Sequence, residues 1–220
     1  MNIARTIDHT LLKPDATREN VLSLCAEARE FGFFSVCVNG SWVAVAAEAL
    51  EGSAVLVAAV TGFPLGAMDS KAKAFETRRA VDCGAGEIDT VLAVGRLRAG
   101  EESYVLDDLA GVVEAAGDAG VKVIFETCLL NHEEKLAACR IACEAGAAFV
   151  KTSTGFSAGG ATVEDVRLMA AAVDGRCLVK ASGGIRDAAS ARAMLEAGAS
   201  RLGTSNGIAI VRGSAAAQGY

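Results

Sequence analysis

The chain has 220 residues, 52% of them hydrophobic, and a mean hydropathy of +0.35, which excludes a disordered polymer and allows a sizeable core. A net charge of -6 and a pI near 5.1 argue against a nucleic-acid surface, so an anionic ligand has to be held by backbone amides or a few placed cations. The longest apolar run, 54–60, is too short to cross a bilayer, and the first residues lack the apolar centre of a secretory signal, so a cytoplasmic chain without membrane association is expected.

In chain order, a short strand over 6–11 carries Asp8, His9 and Thr10. Pro14 and Thr17 announce a helix reaching Phe31, with Val21, Leu22, Leu24, Cys25 and Ala28 along its inner stripe. A strand over 33–39, a helix over 41–50 and a strand over 55–61 follow, the last stopped by Gly62-Phe-Pro-Leu-Gly66. A helix over 70–83 leads to a strand over 87–94 that contains Asp89, and a helix over 101–119 leads to a strand over 121–127. Asn131 can cap the next helix, and the run from Ala147 to Val150 reads as a buried parallel strand ending in Lys151. Thr162-Val-Glu-Asp165 has capping-box spacing before a helix to Asp174, and a strand begins at Leu178. Asp187 caps a helix ending at Gly198, and a last strand from Arg201 turns into a short helix.

Helices close on glycines 32, 84, 120, 146, 175 and 198, each followed within a few residues by a strand. Glycine tolerates the left-handed conformation that stops a helix, so this is one joint repeated. Strict alternation implies a parallel sheet. Eight strands in 220 residues with no internal linker favour a closed α/β barrel, the (β/α)8 TIM barrel, as a single domain over 1–220. The small, polar tail 213–220 is expected to be mobile.

In such a barrel reactive groups lie toward the C-terminal ends of strands. Of seven lysines, 122, 151 and 180 stand in apolar strand contexts, and Val150-Lys-Thr-Ser-Thr-Gly155 and Val179-Lys-Ala-Ser-Gly-Gly184 share one pattern on consecutive strands. Burial and a neighbouring cation both favour a neutral amine, so one lysine could attack a carbonyl while the other stays a proton donor. Lys122 lies near its strand's start, where it reads as a charge that tunes the site. Asp89, in an otherwise apolar strand, needs a partner that an interior lysine supplies, for catalysis or as a core ion pair. Asp8 and Thr10 share one strand face; whether they bind hydroxyl groups or close the barrel's bottom stays open. The glycine-rich turns at Ser182-Gly183-Gly184 and Gly203-Thr204-Ser205, each before a helix, suit phosphate, and Gly155 adds a third lobe.

Only His9 and His132 are present and no histidine or cysteine spacing suits zinc, so no metal is expected. No G-x-G-x-x-G follows the first strand, so no cofactor is expected either. The seven cysteines include no C-x-x-C pair and lie mostly in apolar patterns, as reduced core cysteines do. An amine nucleophile, a carboxylate and a phosphate pocket spell Schiff-base chemistry on a phosphorylated carbonyl compound.

Ile7-Asp-His-Thr-Leu-Leu-Lys-Pro14, Gly62-Phe-Pro-Leu-Gly66, Lys73-Ala-Phe-Glu-Thr77, Glu87-Ile-Asp89, the segment from Lys122 to Leu130, and the two lysine motifs together resemble the deoxyribose-phosphate aldolase family, over 7–211. The resemblance implies a class I aldolase that splits 2-deoxy-D-ribose 5-phosphate into acetaldehyde and D-glyceraldehyde 3-phosphate. It implies that Lys151 forms the imine, Asp89 and Lys180 relay protons, and Lys122 sits close to that relay. It implies phosphate loops at Gly183, Gly184, Thr204 and Ser205, substrate contacts near Asp8 and Thr10, and a C-terminal Tyr220 that assists at the enamine. Its partners would be a phosphorylated sugar, aldehydes and further copies of the chain, as a dimer or tetramer. Departures from the family pattern are Ala93 for an asparagine, Gly40 for a proline and Asn206 for a small residue. A phosphosugar isomerase or synthase using Asp89 as base, or a non-catalytic phosphosugar-binding barrel, are the alternative readings.

Overall fold

Eight parallel strands close on themselves in chain order, each hydrogen-bonded to the next and the eighth to the first. The computed structural model describes residues 2–213; Tyr220 and 214–219 of the expected mobile tail lie outside the described residues. The strands are β1 Ile7–Leu11, β2 Ser35–Val38, β3 Leu56–Thr61, β4 Glu87–Val91, β5 Gly120–Ile124, β6 Phe149–Lys151, β7 Leu178–Ser182 and β8 Arg201–Thr204. Around them run α1 Arg18–Phe31, α2 Val43–Ala49, α3 Ser70–Asp82, α4 Val94–Arg98, α5 Glu102–Ala116, α6 His132–Glu144, α7 Val163–Val173, α8 Ala188–Glu196 and α9 Gly207–Arg212. Among the described residues no helix is long and apolar enough to cross a membrane.

Helix starts follow local hydrogen-bond chemistry. Thr17 with Asn20, Asn131 with Glu134 and Asp187 with Ser190 form reciprocal capping boxes. Thr162 makes only half of the expected box, accepting from the Asp165 N–H. His132 is exposed in the first turn of α6.

Three boundaries differ from expectation by three residues. The helix before β5 closes at Gly117, with φ 59°, whereas Gly120 is already a strand residue paired with Glu87. The strand expected over 87–94 stops at Val91, and Val94 opens the short α4. The strand expected over 121–127 stops at Ile124 because Glu126 adopts φ 55°, which no parallel ladder accommodates.

Alternation of side chains divides the buried apolar groups into two shells. Ile88, Val123, Val150, Val179 and Leu202 point outward into the layer between sheet and helices. Each such side chain contributes about 1.5–3 kcal/mol on burial. Inside the barrel a smaller group, Leu12, Cys37, Ala58 and Val60, lines the β2–β3 side. The other half of the interior is charged.

Cys25, Cys37 and Cys139 are buried and free. The Cys143 and Cys177 side chains lie against each other, with Cα atoms 6.0 Å apart. The end of α6 and the approach to β7 bring together residues 34 apart in the chain, a proximity that no local pattern reveals.

Candidate active site

Period-two alternation turns Asp8 and Thr10 of β1, Glu87 and Asp89 of β4, Lys122, Lys151 and Lys180 of β5–β7, and Arg201 of β8 toward the barrel axis. All but Thr10 are buried. Asp89 is the hub. Its Oδ1 accepts from Lys122 Nζ at 2.9 Å, and its Oδ2 accepts from both Lys151 Nζ and Lys180 Nζ at 2.7 Å. Lys180 also donates to Asp8 Oδ2 at 2.5 Å. Lys122 meets Glu87 Oε2 at 2.8 Å, and Arg201 bridges Asp8 Oδ1 at 2.9 Å and Glu87 Oε2 at 3.0 Å.

The two neighbouring lysines respond oppositely to this field. Burial pushes the Lys151 ammonium below its ordinary pKa; Asp89 opposes that and the Lys180 charge reinforces it. Burial would lower Lys180 too, but Asp8 and then Asp89 outweigh it and raise its pKa. Asp89 is held well below the carboxylate range, since Lys122, Lys151 and Lys180 together overcome the cost of burial. For Asp8 burial is likewise overcome, by Lys180, Lys122 and Arg201, and its pKa falls to about 2. Lys151 is therefore the amine that most readily becomes neutral, and Lys180 the one that keeps its proton. Cys37 lies in the same field, its thiol pushed up to about 11 by burial and then by Asp89.

Lys151 opens into a cavity of about 340 Å³ at the C-terminal mouth of the barrel. Thr10, Gly155 and Ser182 line it with Lys151, and so do Gly183, Gly184, Gly203, Thr204 and Ser205. The structure thus gathers the expected glycine-rich turns and the amine around one cavity. Asp8, Asp89, Lys122 and Lys180 do not line this cavity; they lie beneath its floor. Arg186 and Asn206 also line the rim.

The turns are shaped for close backbone approach. Gly183 has φ 88°, and a Cβ there would stand 3.0 Å from Gly160 Cα. The Ser182 hydroxyl donates to the Ser153 carbonyl at 2.6 Å. The Thr204 hydroxyl donates to the Ile185 carbonyl at 2.7 Å and accepts from the Asn206 N–H at 2.9 Å. Both hydroxyls pin the turns, leaving backbone amides as the natural anion donors. Among the described residues no group of three His, Cys, Asp or Glu could hold a metal.

Sequence reasoning passed over four residues here. Glu87 stands two before Asp89 and so shares its face, a signal that was readable. Arg201 opens β8 and showed no such sign. Cys37 reads as core from its apolar neighbours. Glu126 was placed within a strand, whereas its carboxylate accepts from the Thr154 hydroxyl and, at 3.3 Å, from the Thr154 N–H. It thereby ties the end of β5 to the loop that follows Lys151.

Known proteins resemble the chain along nearly its whole length. Residues 3–216 match the family model described as DeoC/LacD family aldolase. The chain is 56% identical over 220 residues to a deoxyribose-phosphate aldolase of Bdellovibrio bacteriovorus, covering 100% of each chain. It is 58% identical over 214 residues to one of Brevibacillus brevis, covering 97% of each. A solved tetrameric deoxyribose phosphate aldolase of Aeropyrum pernix superposes with a TM-score of 0.89 at 32% identity, over 96% of this chain and 89% of that one.

Proposed function

The chain belongs to the DeoC/LacD aldolase family, and on that premise we propose that it is a deoxyribose-phosphate aldolase that works through an imine on Lys151. It cleaves 2-deoxy-D-ribose 5-phosphate to acetaldehyde and D-glyceraldehyde 3-phosphate, reversibly. The observation that carries the reading is the buried Lys151 amine, open to the cavity and 2.7 Å from the aspartate that it shares with Lys180.

The neutral Lys151 amine attacks the C1 aldehyde, and loss of water gives the protonated imine. The Asp89–Lys180 pair takes the C3 hydroxyl proton through a water, with the Asp89 carboxylate as the acceptor. The C2–C3 bond then breaks, its electron pair moves toward the imine nitrogen, and D-glyceraldehyde 3-phosphate leaves. The remaining enamine is protonated at C2, and water releases acetaldehyde and the free lysine. The glycine-rich turns at Gly183, Gly184, Gly203, Thr204 and Ser205, with Gly155 and Ser182 beside them, hold the phosphate, which fixes C1 over Lys151. Asp8 and Lys122 supply charge from below, and Thr10 meets the substrate at the rim. Tyr220 is assigned to enamine protonation by the resemblance of the tail.

The tetramer of the Aeropyrum pernix protein supports a homo-oligomer for this chain. An ionised phosphate ester does not cross a bilayer unaided, so we place the enzyme in the cytoplasm, and the net charge of -6 argues against nucleic acid as a partner.

Incubation with acetaldehyde and a hydride donor should leave one ethyl group on Lys151, read by peptide mass. An adduct absent from Lys151, or spread evenly over the seven lysines, sinks the imine. Cleavage activity surviving in Lys151→Arg favours an isomerase- or synthase-type reaction with Asp89 as base.

A further inference from the structure

The charged side chains beneath Lys151 form a closed circuit. Lys122 joins Asp89, Asp89 joins Lys180, Lys180 joins Asp8, Asp8 joins Arg201, Arg201 joins Glu87, and Glu87 returns to Lys122, with every link between 2.5 and 3.0 Å. Cations and carboxylates alternate around it, so the circuit is neutral without any contribution from Lys151. Lys151 attaches to Asp89 from outside, as a surplus cation with no carboxylate of its own.

Arg201 closes the circuit at the N-terminal end of the barrel, far from the cavity mouth. Its guanidinium lies 3.4 Å from the centroid of the Phe34 ring and 5.1 Å from that of Phe149. Those rings fix it in place and help keep water out, so its charge acts in a medium of low dielectric. No step of the proposed cleavage touches it.

We propose that Arg201 is a positioning residue for the reaction: by occupying Asp8 and Glu87 it balances the carboxylate charge that would otherwise fall to Lys151, and so keeps Lys151 the amine in excess. This rests on the imine reading above. Without Arg201, Asp8 has only Lys180 to pair with and Glu87 only Lys122. The circuit then carries one uncompensated negative charge, and protonated Lys151 is the nearest group able to answer it. The direction of the Lys151 shift, set by burial and then by the balance of Asp89 against Lys180, agrees. The other charged or titratable groups facing Lys151 are Asp8 from β1, Cys37 from β2, Glu87 and Asp89 from β4, Lys122 from β5 and Lys180 from β7. β3 contributes no charged residue.

The test is the pH dependence of adduct formation on Lys151 with acetaldehyde and cyanoborohydride, followed by peptide mass. In Arg201→Gln the midpoint should move up by about one pH unit or more, cutting labelling about tenfold below it. Arg201→Lys keeps the charge and should return the midpoint to within about a third of a unit of the parent. An unmoved midpoint in Arg201→Gln, or an equal shift in Arg201→Lys, overturns the proposal. If Arg201→Gln does not fold by circular dichroism, Glu87→Gln decides. It leaves the circuit with excess positive charge and should move the midpoint down; an upward or null shift overturns the proposal. Failure of the parent protein to form any Lys151 adduct refutes the imine reading instead, so the two failures are distinct.

Discussion

Lys151 and Lys180 are register partners on adjacent strands and donate to the same oxygen of Asp89 at the same distance, 2.7 Å. Their proton affinities nevertheless move apart, because Lys180 has Asp8 as a second carboxylate and Lys151 has none. Titratable neighbours driven in opposite directions are how one site supplies both a base and an acid at one pH. Geometry alone would not separate these two amines; their remaining partners do.

The shift of Lys151 sets the acid limb of activity. Only the neutral amine attacks, so imine formation should be complete above its folded pKa and fall tenfold per unit below it. The midpoint should lie beneath that of a free lysine, near 10.5, with burial as the main cause. Single-turnover imine formation measured against pH checks this. A midpoint at the free-lysine value contradicts the burial argument.

Acid stability should follow Asp8. Its folded pKa, about 2, is below the ordinary 3.8, so the unfolded chain binds the proton more readily. The stabilisation, about 2 kcal/mol, is complete above the unfolded value and is lost as pH falls through about 4 toward 2. Asp8→Asn should lose about 3–5 kcal/mol at neutral pH by leaving Lys180 and Arg201 short of a partner. It should also show a flatter decline between pH 4 and 2. Urea midpoints across that range measure both; equal slopes would exclude Asp8 as the group.

Gly203 lies against the relay. A Cβ there would stand 2.9 Å from Ser182 Cβ and 3.1 Å from Lys180 Cε. Gly203→Ala should push Lys180 aside by a few tenths of an ångström and cut kcat by about tenfold. The Lys151 adduct should still form. Steady-state kinetics beside peptide mass separate those effects, and an unchanged kcat would show that Lys180 tolerates the shift.

Glu126 should matter through the loop that it holds. Glu126→Ala leaves the Thr154 N–H and hydroxyl without their partner, costing about 1–3 kcal/mol of stability. With the β6 loop loosened beside Gly155, KM for the phosphorylated sugar should rise about tenfold while that for acetaldehyde in the reverse reaction changes little. An equal rise for both would mean that the loop serves the imine and not the phosphate end.

The fold was legible because its signals are short-ranged. Capping residues at 17, 131 and 187 and glycine stops at 32, 146 and 198 act within one turn of where they stand. Where the reading slipped, at Gly120 and Glu126, two backbone conformations suited the same local pattern, and strand pairing chose between them.

The residues by themselves determined the alternation of strands and helices, the inward face of each strand and hence which lysines and carboxylates could meet inside a barrel. Only the closed structure decided which of them pair. Asp8 meets Lys180 across 172 residues and Arg201 across 193, so the charge balance at Lys151 is a sum over nearly the whole chain. Electrostatic interaction depends on distance and local dielectric, and both come into being only when the first strand closes against the last.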